Sequence, residues 1–147
     1  MRAAAKAAVL VVLLARPAAR VVAAPQVARG AGGAVAAAEE TAARTGIDVL
    51  RRGGNAADAA VAVAFALAVT WPEAGNLGGG GFWISRDSKG RTFAVDFRET
   101  APRNARRDLF TRPGRNGEPP SSTEGPLASG VPGTVDGLWR AHRAAGR

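Results

Sequence analysis

Cysteine and tyrosine are absent from the chain, and histidine occurs once, at His142. The first absence removes disulfides and any thiol nucleophile. A single histidine leaves no histidine cluster to hold a metal. Aromatic side chains make up only 5% of the residues, so there is no evident stacking platform for nucleic-acid bases. Acidic residues are also in deficit, 12 against 20 basic ones, for a formal net charge of +8. Such a surplus ordinarily raises nucleic acids or acidic membranes as partners. Here it is almost all arginine, scattered along an alanine-rich chain. Its densest group, Arg103, Arg106, Arg107, Arg112 and Arg115, falls in a Pro/Gly-rich stretch that reads as a solvated loop. No nucleic-acid partner, metal or cofactor is expected.

Long hydrophobic runs are lacking too. The apolar run from Ala7 to Ala15 is about half of what crossing a bilayer requires, so no stable membrane span is expected. With Arg2 and Lys6 before it and small residues up to Ala24, it has the layout of an export signal. Residues 1–24 are therefore read as a signal peptide and the protein as periplasmic or secreted. Residues 25–147 form one domain-sized unit.

Ala34–Ala36 is a candidate short strand. Alanine and glutamate dominate from Ala37 to Arg52, a helical composition that Gly46 is expected to interrupt and Gly53-Gly54 to stop. Asn55 then caps a second helix, with Asp58 three residues on facing the unpaired amides of its first turn. Residues 59–69 are apolar throughout, which predicts a helix buried on all sides, and Pro72 ends it near Thr70. Residues 101–129 are a polar connector with one short turn at Asp108-Leu109-Phe110, anchored by Phe110. A last helix runs from Thr134, its expected N-cap, to about Ala145, with Leu138 and Trp139 on its buried side.

The most informative stretch runs from Trp71 to Pro102. Four consecutive glycines, Gly78 to Gly81, open onto Phe82-Trp83-Ile84. A turn at Lys89-Gly90 leads to a second apolar run, Thr92 to Phe97. Aromatic and β-branched runs bounded by turn signals predict a hairpin of buried strands. Asp96, Arg98 and Glu99 cluster where the second strand emerges. A guanidinium presents a planar fork that matches a carboxylate in two-point fashion, so Arg98 is a candidate carboxylate anchor at a cleft rim. A structural ion pair of Arg98 with Glu99 or Asp96 explains the spacing equally well.

Two other chemistries are weaker. The tetraglycine precedes a strand and is followed by no Lys-Ser or Lys-Thr, so it fails both phosphate-loop and dinucleotide patterns; close backbone packing is the expected use. Ser85, Ser88, Ser121, Ser122 and Ser129 are available for a serine hydrolase, but the only imidazole, His142, is flanked by Arg140 and Arg143 rather than by an orienting carboxylate. His142 is read as a satisfied surface residue.

Several segments together resemble the N-terminal part of bacterial γ-glutamyltransferases (glutathione hydrolases). They are G-I-D-V-L-R-R-G-G-N-A-A-D-A-A-V at 46–61, A-G-N-L-G-G-G-G-F at 74–82, D-F-R-E-T-A-P at 96–102 and A-S-G-V-P-G-T-V at 128–135. The resemblance runs from about Ala28 onward and covers the opening of the family's large subunit. It implies an α/β (α+β) fold, part of an αββα N-terminal-nucleophile hydrolase sandwich that these residues do not complete. It implies a γ-glutamyl donor such as glutathione, water or an amino acid or dipeptide as acceptor, and a small subunit cut from the same precursor. That subunit begins with the nucleophilic threonine, whose own amine is the base. None of the chain's threonines has the processing context, so no catalytic residue is expected among these residues, which are expected to be inactive alone. The motif arginine, here Arg98, is implied to bind the α-carboxylate of the γ-glutamyl group, with Glu99 in support. Cephalosporin-type acylases share the architecture, so the donor stays open. The competing reading is an exported, non-catalytic module that binds γ-glutamyl peptides or a partner subunit.

Overall fold

The computed structural model describes Val27 and residues 29–147; the expected signal peptide lies outside the described residues. The elements are α1 (Glu40–Arg51), α2 (Ala56–Thr70), β1 (Phe82–Arg86), β2 (Thr92–Asp96) and α3 (Thr134–Ala145). The fold is α+β, with a single two-stranded sheet among the described residues. Residues 34–36, a candidate strand, are not one. Among the described residues no helix is long and apolar enough to cross a membrane.

Glu39 starts α1: its carboxylate accepts the Thr41 and Ala42 amide hydrogens at 2.9 and 3.0 Å. Gly46 does not interrupt the helix. A Cβ there would lie 2.7 Å from Val63 Cγ2 and 3.0 Å from Val35 Cγ1, so the glycine lets α1 pack closely on α2. That packing offsets a propensity cost of about 1 kcal/mol. The two cap amides, Thr41 first, hold the Glu39 carboxyl at a pKa of about 2 against an ordinary 4.5. A carboxyl depressed in the folded state stabilises fully above its unfolded value and loses that contribution as pH falls through the folded one. The melting temperature is therefore expected to fall between pH 4.5 and pH 2. Glu39→Gln should flatten that acid limb, as a melting series against pH would show.

Asn55 caps α2 as expected, and the cap is reciprocal. Asn55 Oδ1 accepts the Ala57 and Asp58 amides at 2.8 and 3.1 Å, while Asp58 Oδ2 accepts the Asn55 amide at 2.8 Å. The helix is not buried on all sides, however. Ala57, Ala59 and Val63 are buried, but Phe65 and Val69 are exposed, because α1 and α3 cover only part of its circumference. An apolar trough of about 670 Å³ runs beside it, lined by Val35, Leu50, Ala59, Val63 and Leu67 among others.

The hairpin is antiparallel, with Phe82 opposite Asp96, Trp83 opposite Val95 and Arg86 opposite Thr92. Asp87 Oδ1 ties its turn by accepting the Lys89 and Arg91 amides at 2.9 and 2.8 Å. The strands are not buried as expected: only Val95 is, while Phe82 and Ile84 are 65% and 77% exposed. The physical reason is alternation. Packing of α3 on the hairpin covers the side of Val95, and Phe82 and Ile84 point the other way.

The 101–129 connector is exposed, with Arg106 and Arg112 both paired to Asp108 at 3.3 and 3.9 Å. Phe110 is also exposed and anchors nothing. On α3, Leu138 is buried as expected, but Trp139 is exposed with Arg143 Cζ 5.2 Å above its ring. The residue before α3 is Gly133, without a side-chain cap, so Thr134 is not the N-cap. The starting amides are satisfied elsewhere: those of Gly133 and Thr134 donate to Gly79 O at 2.8 and 3.0 Å.

Candidate functional site

That last pair of bonds belongs to a corner where three sequence segments meet. The tetraglycine bend continues the hairpin ladder, since the Phe97 amide donates to Gly81 O at 3.0 Å. Residues 99–100 meet 130–131 through a bridge in which the Thr100 and Val131 amides donate to each other's carbonyls at 3.2 and 2.8 Å. At Gly80 and Gly130 the contacts leave no space for a side chain. A Cβ on Gly80 would sit 2.5 Å from Phe97 O and 2.7 Å from Arg98 Cα; one on Gly130 would sit 2.9 Å from Glu99 Cβ. Within the tetraglycine, Gly80 is thus the position filled by backbone from the strand exit, the packing use expected of the run, whereas Gly79 faces the Asn76 side chain, Gly81 the Phe97 ring and Gly78 open space.

Arg98 is held through its main chain. Its amide donates to Asp96 Oδ1 at 3.0 Å, fixing the turn out of β2. Its guanidinium is less committed. Glu99 Oε2 stands 4.0 Å from Nε, beyond hydrogen-bond reach, and the Phe82 ring centroid lies 6.0 Å from Cζ. The side chain is 66% exposed. Of the two ion pairs the sequence allowed, Asp96 spends its carboxylate on the backbone and Glu99 makes only a long contact. The guanidinium is left largely exposed on a main chain tied by the Asp96 bond.

His142 is an exposed, satisfied residue as expected, but its partner was not foreseen. A carboxylate does attend it: Nε2 lies 3.0 Å from Asp58 Oδ1. Asp58 also accepts the Arg147 amide at 3.0 Å. The Asn55 and Arg147 amides, with His142 adding a smaller effect, hold the Asp58 carboxyl below its ordinary value. No local sequence signal announced this pairing, because the partners sit on different helices.

The hairpin backed by helices is an α+β segment, and its likeness to solved structures places it in the N-terminal-nucleophile hydrolase class. The family model for gamma-glutamyltranspeptidase matches residues 42–147. The glutathione hydrolase proenzyme of Escherichia coli K12 is 54% identical over 110 residues, 75% of this chain and 19% of the relative. That of Pseudomonas aeruginosa is 48% identical over 116 residues, 79% of this chain and 21% of the relative. Among solved structures, the gamma-glutamyltranspeptidase of Helicobacter pylori superposes with a TM-score of 0.74 at 41% identity, covering 83% of this chain and 35% of that one. A gamma-glutamyltranspeptidase from Pseudomonas nitroreducens complexed with L-DON gives 0.69 at 47%, covering 79% and 34%. The chain belongs to the gamma-glutamyltranspeptidase family. It spans about a fifth of the length of these curated relatives.

Proposed function

We propose that this chain supplies the carboxylate-anchoring part of a site for γ-glutamyl transfer and hydrolysis. The donor is glutathione or a related γ-glutamyl amide, and the protein acts outside the cytoplasm, residues 1–24 serving as its export signal. The observation that carries the reading is the corner itself, which converges on Arg98 and leaves its guanidinium free of a close acidic partner. Two parallel N–H···O bonds from that fork bind an α-carboxylate and fix the donor's orientation. Glu99, beside it, keeps the local charge from being wholly positive.

The chemistry then needs a nucleophile from the small subunit. Its N-terminal threonine Oγ attacks the γ-carbonyl carbon while the threonine's own amine takes the hydroxyl proton and passes it to the leaving amine. The C–N bond breaks, an ester forms, and water or an amino acid acceptor releases the glutamyl group. Arg98 takes no part in bond making; it decides where the γ-carbon sits.

The test is turnover of glutathione followed by glutamate release. Residues 1–147 alone are expected to show none, and the complete precursor, after self-cleavage, to show it. Turnover by residues 1–147 alone would overturn the division of the site.

A further inference from the structure

The corner around Arg98 and the cap of α2 lie at opposite ends of α3, and α3 is pinned at both. Its twelve residues span about 18 Å. At the C-terminal end, Asp58 Oδ1 takes the Arg147 amide and stands 3.0 Å from His142 Nε2. Asn55 Nδ2 donates to Ala145 O at 2.7 Å, and Arg147 Nη1 to Gly53 O at 3.3 Å. There is no slack: a Cβ on Gly146 would lie 2.7 Å from Asp58 Oδ1. At the N-terminal end, a Cβ on Gly137 would fall 2.1 Å from Phe97 Cγ, and one on Gly133 2.0 Å from Phe97 O. Phe97 is the residue before Arg98.

We propose that Asp58 and His142 are positioning residues for Arg98, acting through α3. The inference rests on the reading of Arg98 as the carboxylate anchor. A helix seated without clearance at both ends transmits a shift at one end to the other, since close-packed interiors do not absorb displacement smoothly. The clasp on the α2 cap thus sets how far α3 presses on Phe97, and so where the guanidinium emerges. Neither clasp residue is among those that meet at the Arg98 corner.

The test uses the complete, self-processed enzyme that carries this chain. His142→Ala removes the imidazole contact to Asp58 and leaves the Asn55–Asp58 cap and the other bonds of the clasp intact. Asn55→Ser keeps a capping oxygen and removes the bond to Ala145. Each is expected to raise the KM for glutathione about tenfold, a misplaced binding group being enough for effects of that order. The fall in kcat should be smaller, as expected when binding common to ground and transition states is lost. His142→Gln, which returns an amide donor at similar reach, should bring KM back to within about twofold of the parent. A merely structural role would lower the melting temperature and the active fraction without moving KM. KM unchanged in both deletions, or raised but not recovered by His142→Gln, overturns the proposal. Arg98→Ala separates the two layers: if it raises KM while His142→Ala does not, only the positioning role falls. If Arg98→Ala is itself silent, the anchor and the positioning role fall together.

Discussion

Gly133→Ala is expected to destabilise the protein by about 3 kcal/mol, the upper end of the usual range for overpacking. The added methyl would meet the Phe97 carbonyl oxygen at 2.0 Å, its carbon at 2.8 Å and the Arg98 oxygen at 3.2 Å. All three are main-chain atoms, so no rotamer change relieves the clash. The strand exit must move, or the first turn of α3 must give up its bonds to Gly79. Gly78→Ala is the internal control, because nothing lies within 4 Å of its added carbon. Denaturant unfolding of the two variants side by side decides the matter. A Gly133→Ala midpoint matching that of Gly78→Ala would show that the corner is looser than its contacts imply.

Arg98→Ala is expected to raise the donor KM of the complete enzyme about a hundredfold, with a much smaller change in kcat. Hydrogen bonds to charged groups are worth about 1.5–3 kcal/mol each. Losing a two-point contact therefore removes at least about 3 kcal/mol, two decades at 1.4 kcal/mol per decade. Arg98→Lys should fall between, since an ammonium keeps the charge and loses the fork. Steady-state kinetics with glutathione measure both. A KM for Arg98→Ala within about twofold of the parent would remove Arg98 from the donor site.

Much of this architecture was legible in the chain because it is locally encoded. Asn55 announces the cap of α2 and Pro72 its end, while the return bond from the Asn55 amide to Asp58 is added by the structure. Lys89-Gly90 marks the hairpin turn, with Gly90 at φ +81°. The motif segments at 74–82, 96–102 and 128–135 could be read as one family likeness, and they prove to be one place in space. What could not be read depends on neighbours distant in sequence. Gly46 looked like a helix breaker because Val63 and Val35, the side chains that use its space, lie elsewhere. Thr134 looked like a cap because the carbonyl satisfying α3's first amides comes from Gly79. His142 could be read as satisfied but not by what, because Asp58 reaches it from α2. The burial expected of the strands failed for a related reason: composition reports an apolar side chain but not whether anything in the described residues covers it. Phe82 and Ile84 have the right chemistry for a core and face outward here.

The bond from Asn55 to Ala145 joins residues 90 positions apart, whereas α1 meets α2 and β1 meets β2 through short connections. Topology of this kind orders the acquisition of structure: the two hairpins form from neighbours, and the clasp waits for a large loop to close. Closure entropy grows only logarithmically, about 0.6 kcal/mol per doubling of the loop. The proline-rich connector therefore weighs little on final stability. Its length bears instead on how long the early-formed pieces wait, half-assembled, before α3 arrives to lock them together.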